Sequence, residues 1–201
     1  MQPYGLVSIG SHTGAWLQNE FEKFKNTKNI LVEPVPYNLK ELKQRISNYK
    51  NIIIEESAIS DKDEKVSFYF VKRDSIGKLK KHWSSGIGSF DKSHLLNHRS
   101  KRFLISETDI EEITINCLSF SSLVKKYAIK SIQKLMLDIE GAEYPALLGF
   151  FENCSSKDNW PTWVQVEQYK NAELNKAIQY LFKLGYKKVF EGRMNWILKN
   201  E

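Results

Sequence analysis

Residues 6–36 read LVSIGSHTGAWLQNEFEKFKNTKNILVEPVP, and the architecture follows from this stretch. Leu6-Val7-Ser8-Ile9 is a short apolar run of the kind that forms a buried strand, ended by Gly10. Trp16, Leu17, Phe21 and Phe24 then recur at helical spacing over Ala15–Lys25. Ile30-Leu31-Val32 forms a second strand, closed by Glu33-Pro34-Val35-Pro36. A strand, a helix and a strand in about 27 residues make a crossover unit, which implies a parallel pair.

The unit continues on both sides. Leu39, Leu42, Ile46 and Tyr49 define one face of a second helix that starts near Pro36 or Asn38. Ile52-Ile53-Ile54 begins a third strand, expected to run toward Ser57-Ala58. Val66–Val71 alternates and predicts a strand added at one edge. Ile113, Ile115 and Cys117 predict a short strand, followed by a helix over roughly 120–128. Lys134–Glu140 and Trp163–Glu167 are two further strands, each with an acid at its end. A helix through Ala146-Leu147-Leu148 lies between them. Residues 172–184 form an amphipathic helix stopped by Gly185. Tyr186–Phe190 and Asn195–Leu198 flank Glu191-Gly192-Arg193 as a terminal hairpin. The fold class expected is α/β: a Rossmann-like, mostly parallel doubly wound sheet with a C-terminal antiparallel hairpin, in one domain over 1–201.

In such a sheet ligands bind outside the carboxyl ends of the strands. The turn Gly10-Ser11-His12-Thr13-Gly14 has glycine at both ends, which permits a tight bend and close backbone approach. Any tight strand-to-helix turn can carry that pattern, so Glu33 adds the sharper signal. A carboxylate at the end of the next strand can accept both hydroxyls of a ribose; its plainer role is an acid ahead of the Pro36 helix start. The turn lacks the Lys-Ser/Thr of a phosphate-gripping loop and the third glycine of a pyrophosphate fingerprint. A ribosyl ligand without phosphates fits best, and S-adenosylmethionine meets that description.

The 201 residues are 41% hydrophobic, enough for a core without staples, and carry a net charge of +6 with a pI near 9.1. Residues 72–102 hold nine Lys/Arg against two Asp, a local +7, so the remainder is close to neutral. With no sustained apolar period, this segment reads as a loop or basic lid over about 72–109, either a plain solvated surface or a dock for an anionic acceptor. Two cysteines without a CxxC pattern argue against a thiol zinc site and a disulfide scaffold. No apolar run is long enough to span a membrane and no signal peptide is read, so a reducing, cytoplasmic setting is expected.

At this point the residues resemble a known family. VSIGSHTGAW, LVEPVPYNLKELKQRI, EESAISDKDEKVSFYF, WSSGIGSF, LMLDIEGAEYPALLGF and WVQVEQY follow, in order and approximate spacing, the FkbM-type methyltransferases, a branch of the class I S-adenosylmethionine-dependent enzymes. Leu137–Glu143 is close to the family's D-x-E-G-A-E signature, and Glu33–Pro36 to its E-P-x-P. The resemblance implies that Gly10, Ser11 and Gly14, with His12 and Thr13 between them, line the methionine and ribose. It implies that Glu33 and Pro34 hold the ribose, that Ser57 and Ala58 lie beside the adenine, and that Trp83, Ser84 and Ser85 sit near the acceptor entrance. Trp83 is expected either to stack on the acceptor or to anchor a loop. The family usually carries an acid two residues before the first glycine, where this chain has Ser8. Its hydrogen bonding must then be supplied otherwise, with His12 as the candidate.

Methyl transfer to a hydroxyl gains from a base that removes the hydroxyl proton. The candidates are Asp138, Glu140 and His12. Asp138 and Glu140 are expected to face opposite sides of a regular strand, with Asp138 also touching the cofactor. Glu143 suits either catalysis or the helix N-terminus, and His12 either a base or a hydrogen-bonding core residue. Glu167 is expected to converge on Asp138 at the acceptor side. Carboxylates meeting there can hold a divalent cation, but no ligand set is identified and no metal is predicted. His82, His94 and His98 are read as loop residues. The acceptor expected is a sugar, glycan or small metabolite hydroxyl. Two other readings are an RNA methyltransferase using the basic segment and a non-catalytic cofactor-binding relative. The oligomeric state is not legible.

Overall fold

The computed structural model describes residues 1–79, 82–98, 104–154, 156–167, 172–191 and 195–200. Its main sheet is built from β1 (Gln2–Ile9), β2 (Lys28–Val32), β3 (Ile52–Glu55), β8 (Ile129–Leu137), β9 (Trp163–Glu167), β10 (Lys187–Glu191) and β11 (Asn195–Lys199). The strand order is β10-β11-β9-β8-β1-β2-β3. The pairs β1–β2, β2–β3, β1–β8 and β8–β9 are parallel, while β11 runs antiparallel to both neighbours. The order reverses at β1, which lies between β2 and β8. That position is the crevice where doubly wound sheets take their ligands.

β1 is covered on both faces. Val7 and Ile9 join one core with Ile30, Leu135, Ala146 and Phe150, and Leu6 joins a second with Leu17, Phe21, Leu31 and Leu42. Leu6, Val7 and Ile9 are at most 1% exposed. Burying side chains of this size stabilises by roughly 1.5–3 kcal/mol each. The second core is made by α1 (Gln18–Lys23) and α2 (Pro36–Arg45). Proline at the first position of α2 removes an N–H that has no helical partner there. On the other face lie α5 (Phe120–Lys126), α6 (Glu143–Glu152) and α7 (Ala172–Lys183).

The structure corrects the reading of the middle of the chain. The third strand ends at Glu55, and Ala58 opens β4 (Ala58–Ser60) in a separate sheet. The alternating run is β5 (Glu64–Val71), and it belongs to that second sheet rather than to the edge of the first. Its partner β7 (Ile110–Ser119) has ten residues where a short strand is expected. With β6 (Gly88–Ser89), the order is β4-β7-β5-β6. Alternation cannot say which sheet a strand joins, because one buried face gives the same pattern in either.

The basic segment is also not a loop. It contains α3 (Arg73–Leu79), a 3-10 turn over His82–Gly86, β6 and α4 (Lys92–Asn97). Leu95 is fully buried in a small core with Val71, Ile87, Ile105 and Ile110. Apolar residues this sparse show no period, yet one buried leucine is enough to anchor this helix of six residues. Asp91 caps α4 by accepting from Ser93 N–H at 2.8 Å.

Candidate functional site

Three strand ends are levelled by the hydrogen bonds that continue the parallel ladder. Gly10 and Ser11 N–H donate to Val32 O, Asp138 N–H to Ile9 O, and Glu33 N–H to Glu55 O, all at 2.9–3.1 Å. Gly10, Glu33 and Asp138 therefore stand on one rim. The cleft above them is narrow, about 40 Å³, below the roughly 300–1,000 Å³ of small-ligand sites, so its walls must part to admit a ligand of cofactor size. Gly10, Glu33, Pro34, Ser57, Ala58, Asp138 and Glu140 line it, as the sequence reading expects of cofactor and catalytic residues. Phe68 of β5 and Phe90 after β6 close the far wall, edge to face at 5.6 Å. Phe68 escaped the sequence reading, because the second sheet that carries it was not foreseen, and Phe90 entered it only as an aromatic of the basic segment. A wider depression between α2 and Arg73 lies apart from the strand ends and opens broadly to solvent.

The turn after β1 uses left-handed backbone at Gly10, His12 and Gly14, with φ of 79°, 51° and 71°. Glycine meets this without strain at two of the three, and histidine is among the residues that tolerate it. Glu33 holds the turn from below. Its carboxylate accepts His12 N–H at 2.8 Å, Val35 N–H at 3.0 Å and Asn38 Nδ2 at 3.3 Å. Ser8 is fully buried, and its Oγ finds no partner among the described residues.

Ser11, His12, Thr13 and Gly14 do not line the cleft. Ser11 Oγ closes back on Ser8 O, and Arg45 Nε grips Thr13 O at 2.8 Å. His12 Nε2 lies 2.7 Å from Ser85 Oγ, and Asn38 Nδ2 donates to Ser85 O at 2.9 Å. Ser84 and Ser85 are thus buried behind the wall, and Gly86 and Gly88 present it to the cleft. The backbone of Trp83 lies in the same 3-10 turn; its side chain lies outside what the structure describes. Asn38 is a positioning residue that the sequence reading placed only as a helix start.

Asp138 and Glu140 do not alternate along a strand, which corrects the expectation of opposite faces. β8 stops at Leu137, and Glu140-Gly141 form a left-handed turn with φ of 52° and 105°. Both carboxylates consequently reach the same cleft. Glu143 is 1% exposed and accepts from Ile139 N–H and Gly141 N–H, each at 3.0 Å. It holds the turn rather than reaching the cleft. The Asp138, Glu140 and Glu167 donor atoms lie within 4.8 Å of one another. His94 is another correction: it sits on α4, not in a loop, with Nε2 at 2.9 Å from Glu140 Oε2. The one signal in the sequence was its spacing of four from His98.

Burial dominates the electrostatics. Desolvation pushes the Glu33 carboxyl up to about 7, against the pull of its three donors, and nearby Asp138 adds to the rise. Desolvation likewise raises Asp138, which is hydrogen-bonded to Glu167 and repelled by Glu140. Two buried carboxyls joined in this way hold a proton between them, and they titrate as a pair. Burial lowers His12, while the Glu140 carboxylate lifts His94.

A parallel sheet reversing at β1, a cleft at that reversal and an antiparallel terminal hairpin define the Rossmann-like fold of class I methyltransferases. The model of the methyltransferase FkbM domain matches residues 8–188, and the chain belongs to that family. Among solved structures, methyltransferase FkbM from Methylobacillus flagellatus KT aligns with a TM-score of 0.58 at 14% identity, over 98% of this chain and 44% of that one. The chain thus spans less than half of that protein's length. Precorrin-6y C5,15-methyltransferase from Geobacter metallireducens GS-15 aligns with a TM-score of 0.50 at 8% identity, over 100% of this chain and 82% of that one. At these identities the likeness is one of fold. A comparison with curated proteins gives no match. Among the described residues no helix is long and apolar enough to cross a membrane.

Proposed function

We propose that the chain is an S-adenosylmethionine-dependent methyltransferase that methylates a hydroxyl of a sugar, glycan or small metabolite. The observation that carries this reading is the shared rim: a ribose-type acceptor, Glu33, on one side of Gly10, and a buried carboxyl pair, Asp138 and Glu167, on the other. The residues present suit the cofactor. Glu33 keeps one lone-pair site, on Oε2, for a hydroxyl donor beyond its three N–H partners. Ser57 Oγ is buried at the cleft without a partner among the described residues, so it is available to a polar ring edge.

When bound, S-adenosylmethionine supplies an electrophilic methyl group on a sulfonium. The chain's share of the chemistry is then alignment and proton removal. Phe68, Phe90 and the glycines at 86 and 88 exclude water from the cleft. Asp138, the member of the pair that lines the cleft, would in its ionised form take the acceptor hydroxyl's proton while Glu167 holds the pair's own proton, and Glu140 stands beside it to orient the acceptor. The segment over 72–109 acts as the acceptor-side wall and lid.

The described cations of that segment do not favour nucleic acid. Lys72 donates to Thr108 O, and Arg73, Lys78 and Lys92 pair with Glu41, Asp109 and Glu107. Lys80, Lys81, Arg99, Lys101 and Arg102 lie outside the described residues.

Calorimetry with S-adenosylmethionine tests the cofactor; absence of binding at low salt overturns the enzyme reading. Mass spectrometry after incubation with labelled cofactor and a panel of glycans, metabolites and RNA tests the acceptor. Label on RNA alone overturns the hydroxyl-metabolite reading. The affinity should also depend on pH. The folded chain holds the Glu33 proton up to about 7, well above the ordinary 4.5. Its contribution to stability is therefore complete below 4.5 and is lost as pH rises through about 7. Hydroxyl donors prefer the ionised form, so affinity is expected to climb roughly tenfold per pH unit below that value and to level off above it. Glu33→Gln is expected to flatten this profile and to bind about tenfold more weakly at pH 8. A wild-type profile that is already flat would show that Glu33 does not meet the ligand.

A further inference from the structure

We propose that His94, His98 and Glu140 form a binding site for a single divalent transition-metal ion at the rim of the cleft. Their donor atoms, one from each side chain, all lie within 4.8 Å of one another. His94 and His98 are four residues apart, with His98 capping the end of α4 and the two rings 5.6 Å between centroids. That spacing sets the two imidazoles side by side on one helical turn, edge to face. Leu95 buries α4 into its own small core, which carries His94 over the turn that holds Glu140.

The distances suit an ion. Ligands at about 2.1 Å from a metal lie roughly 2.9 Å apart when cis in an octahedron and about 3.4 Å apart in a tetrahedron. His94 Nε2 and Glu140 Oε2 are already 2.9 Å apart, joined by one hydrogen bond. An ion can replace the proton between them, and the His98 donor lies within 4.8 Å of both. The Glu140 side chain is 8% exposed and that of His94 23%, so the site is partly shielded but open to entry. The donor set selects the metal class. Two imidazole nitrogens and one carboxylate suit zinc, cobalt, nickel or ferrous iron, whereas magnesium and calcium favour all-oxygen sites. Asp138 and Glu167 lie against Glu140. They provide the carboxylates that orient a ligand and its water from the second layer.

Ion binding itself does not depend on the methyl-transfer reading. Its use does: next to the carboxyl pair, an ion would select acceptors that offer an oxygen ligand beside the reacting hydroxyl, such as a vicinal diol or a hydroxy acid. The test uses the whole chain, stripped by chelator and titrated with cobalt(II) alone. Calorimetry gives the stoichiometry, and visible absorption reports imidazole ligation. One cobalt per chain with a visible ligand-field band is expected, and His98→Asn and His94→Asn are each expected to weaken it at least about tenfold. Thermal melts of the variants show whether they remain folded. A wild-type chain that binds no cobalt, or folded variants that bind it unchanged, overturns the site. S-adenosylmethionine binding is measured on the same samples. Cobalt bound through both histidines without cofactor binding supports the metal site and removes the enzyme reading. Cofactor binding without cobalt does the reverse.

Discussion

Replacing Gly10 with alanine is expected to lower the melting temperature by roughly 6–12 °C and to abolish cofactor binding. A β-carbon at this position would stand 1.8 Å from the Asp138 carbonyl oxygen and 3.2 Å from Ile139 Cγ2. The first obstacle is backbone, so no rotamer change relieves it. The ends of β1 and β8 must separate, although they are tied there by the Asp138 N–H bond to Ile9 O. Left-handed φ of 79° adds about 1–2 kcal/mol of its own for a residue with a β-carbon. Together these cost about 3 kcal/mol, and each kcal/mol moves the midpoint about 2–4 °C in a chain of this size. Gly141→Ala is the control. Its φ is 105°, but no atom lies within 4 Å of the added carbon. Strain alone should then cost about 1 kcal/mol. Equal losses at the two positions would mean that the clash with Asp138 is not what confines residue 10 to glycine.

Asp138→Asn is expected to reduce methyl transfer by about 10²–10⁴-fold while cofactor affinity changes only a few-fold. Asparagine has the shape of the protonated acid and keeps the hydrogen bond to Glu167, but it cannot take a proton. The hydrogen bond from Glu167 supports the ionised Asp138 that takes the proton, but burial and Glu140 make that form costly, so the neutral asparagine should leave the melting temperature near that of wild type. Glu140→Gln should also lose activity with cofactor binding intact. Single-turnover transfer of labelled methyl, measured beside calorimetry, separates these effects. Full transfer by both variants would refute the proton-removal role.

The middle of the main sheet was legible because β1, β2 and β3 each carry a short apolar run with helical spacing between. Buried parallel strands advertise themselves in that way. The second sheet was not, since β5 and β7 bury only one face, and alternation is silent about partners. At the site, Gly10, Glu33, Asp138 and Glu167 could be read from their places at strand ends, and the structure brings them to one rim. Glu140 was found for a reason that the structure corrects: a turn, not a pleat, aims it. His94, Asn38 and Phe68 were missed because each reaches the site through tertiary packing. No local pattern tells that α4 docks on the turn after β8.

His12 on the turn after β1 and Asn38 beneath Glu33 both fasten to Ser85, one residue before the glycine wall of the cleft. The wall therefore has no resting position independent of that turn and of α2. A displacement of either one is passed through Ser85 to the mouth of the cleft.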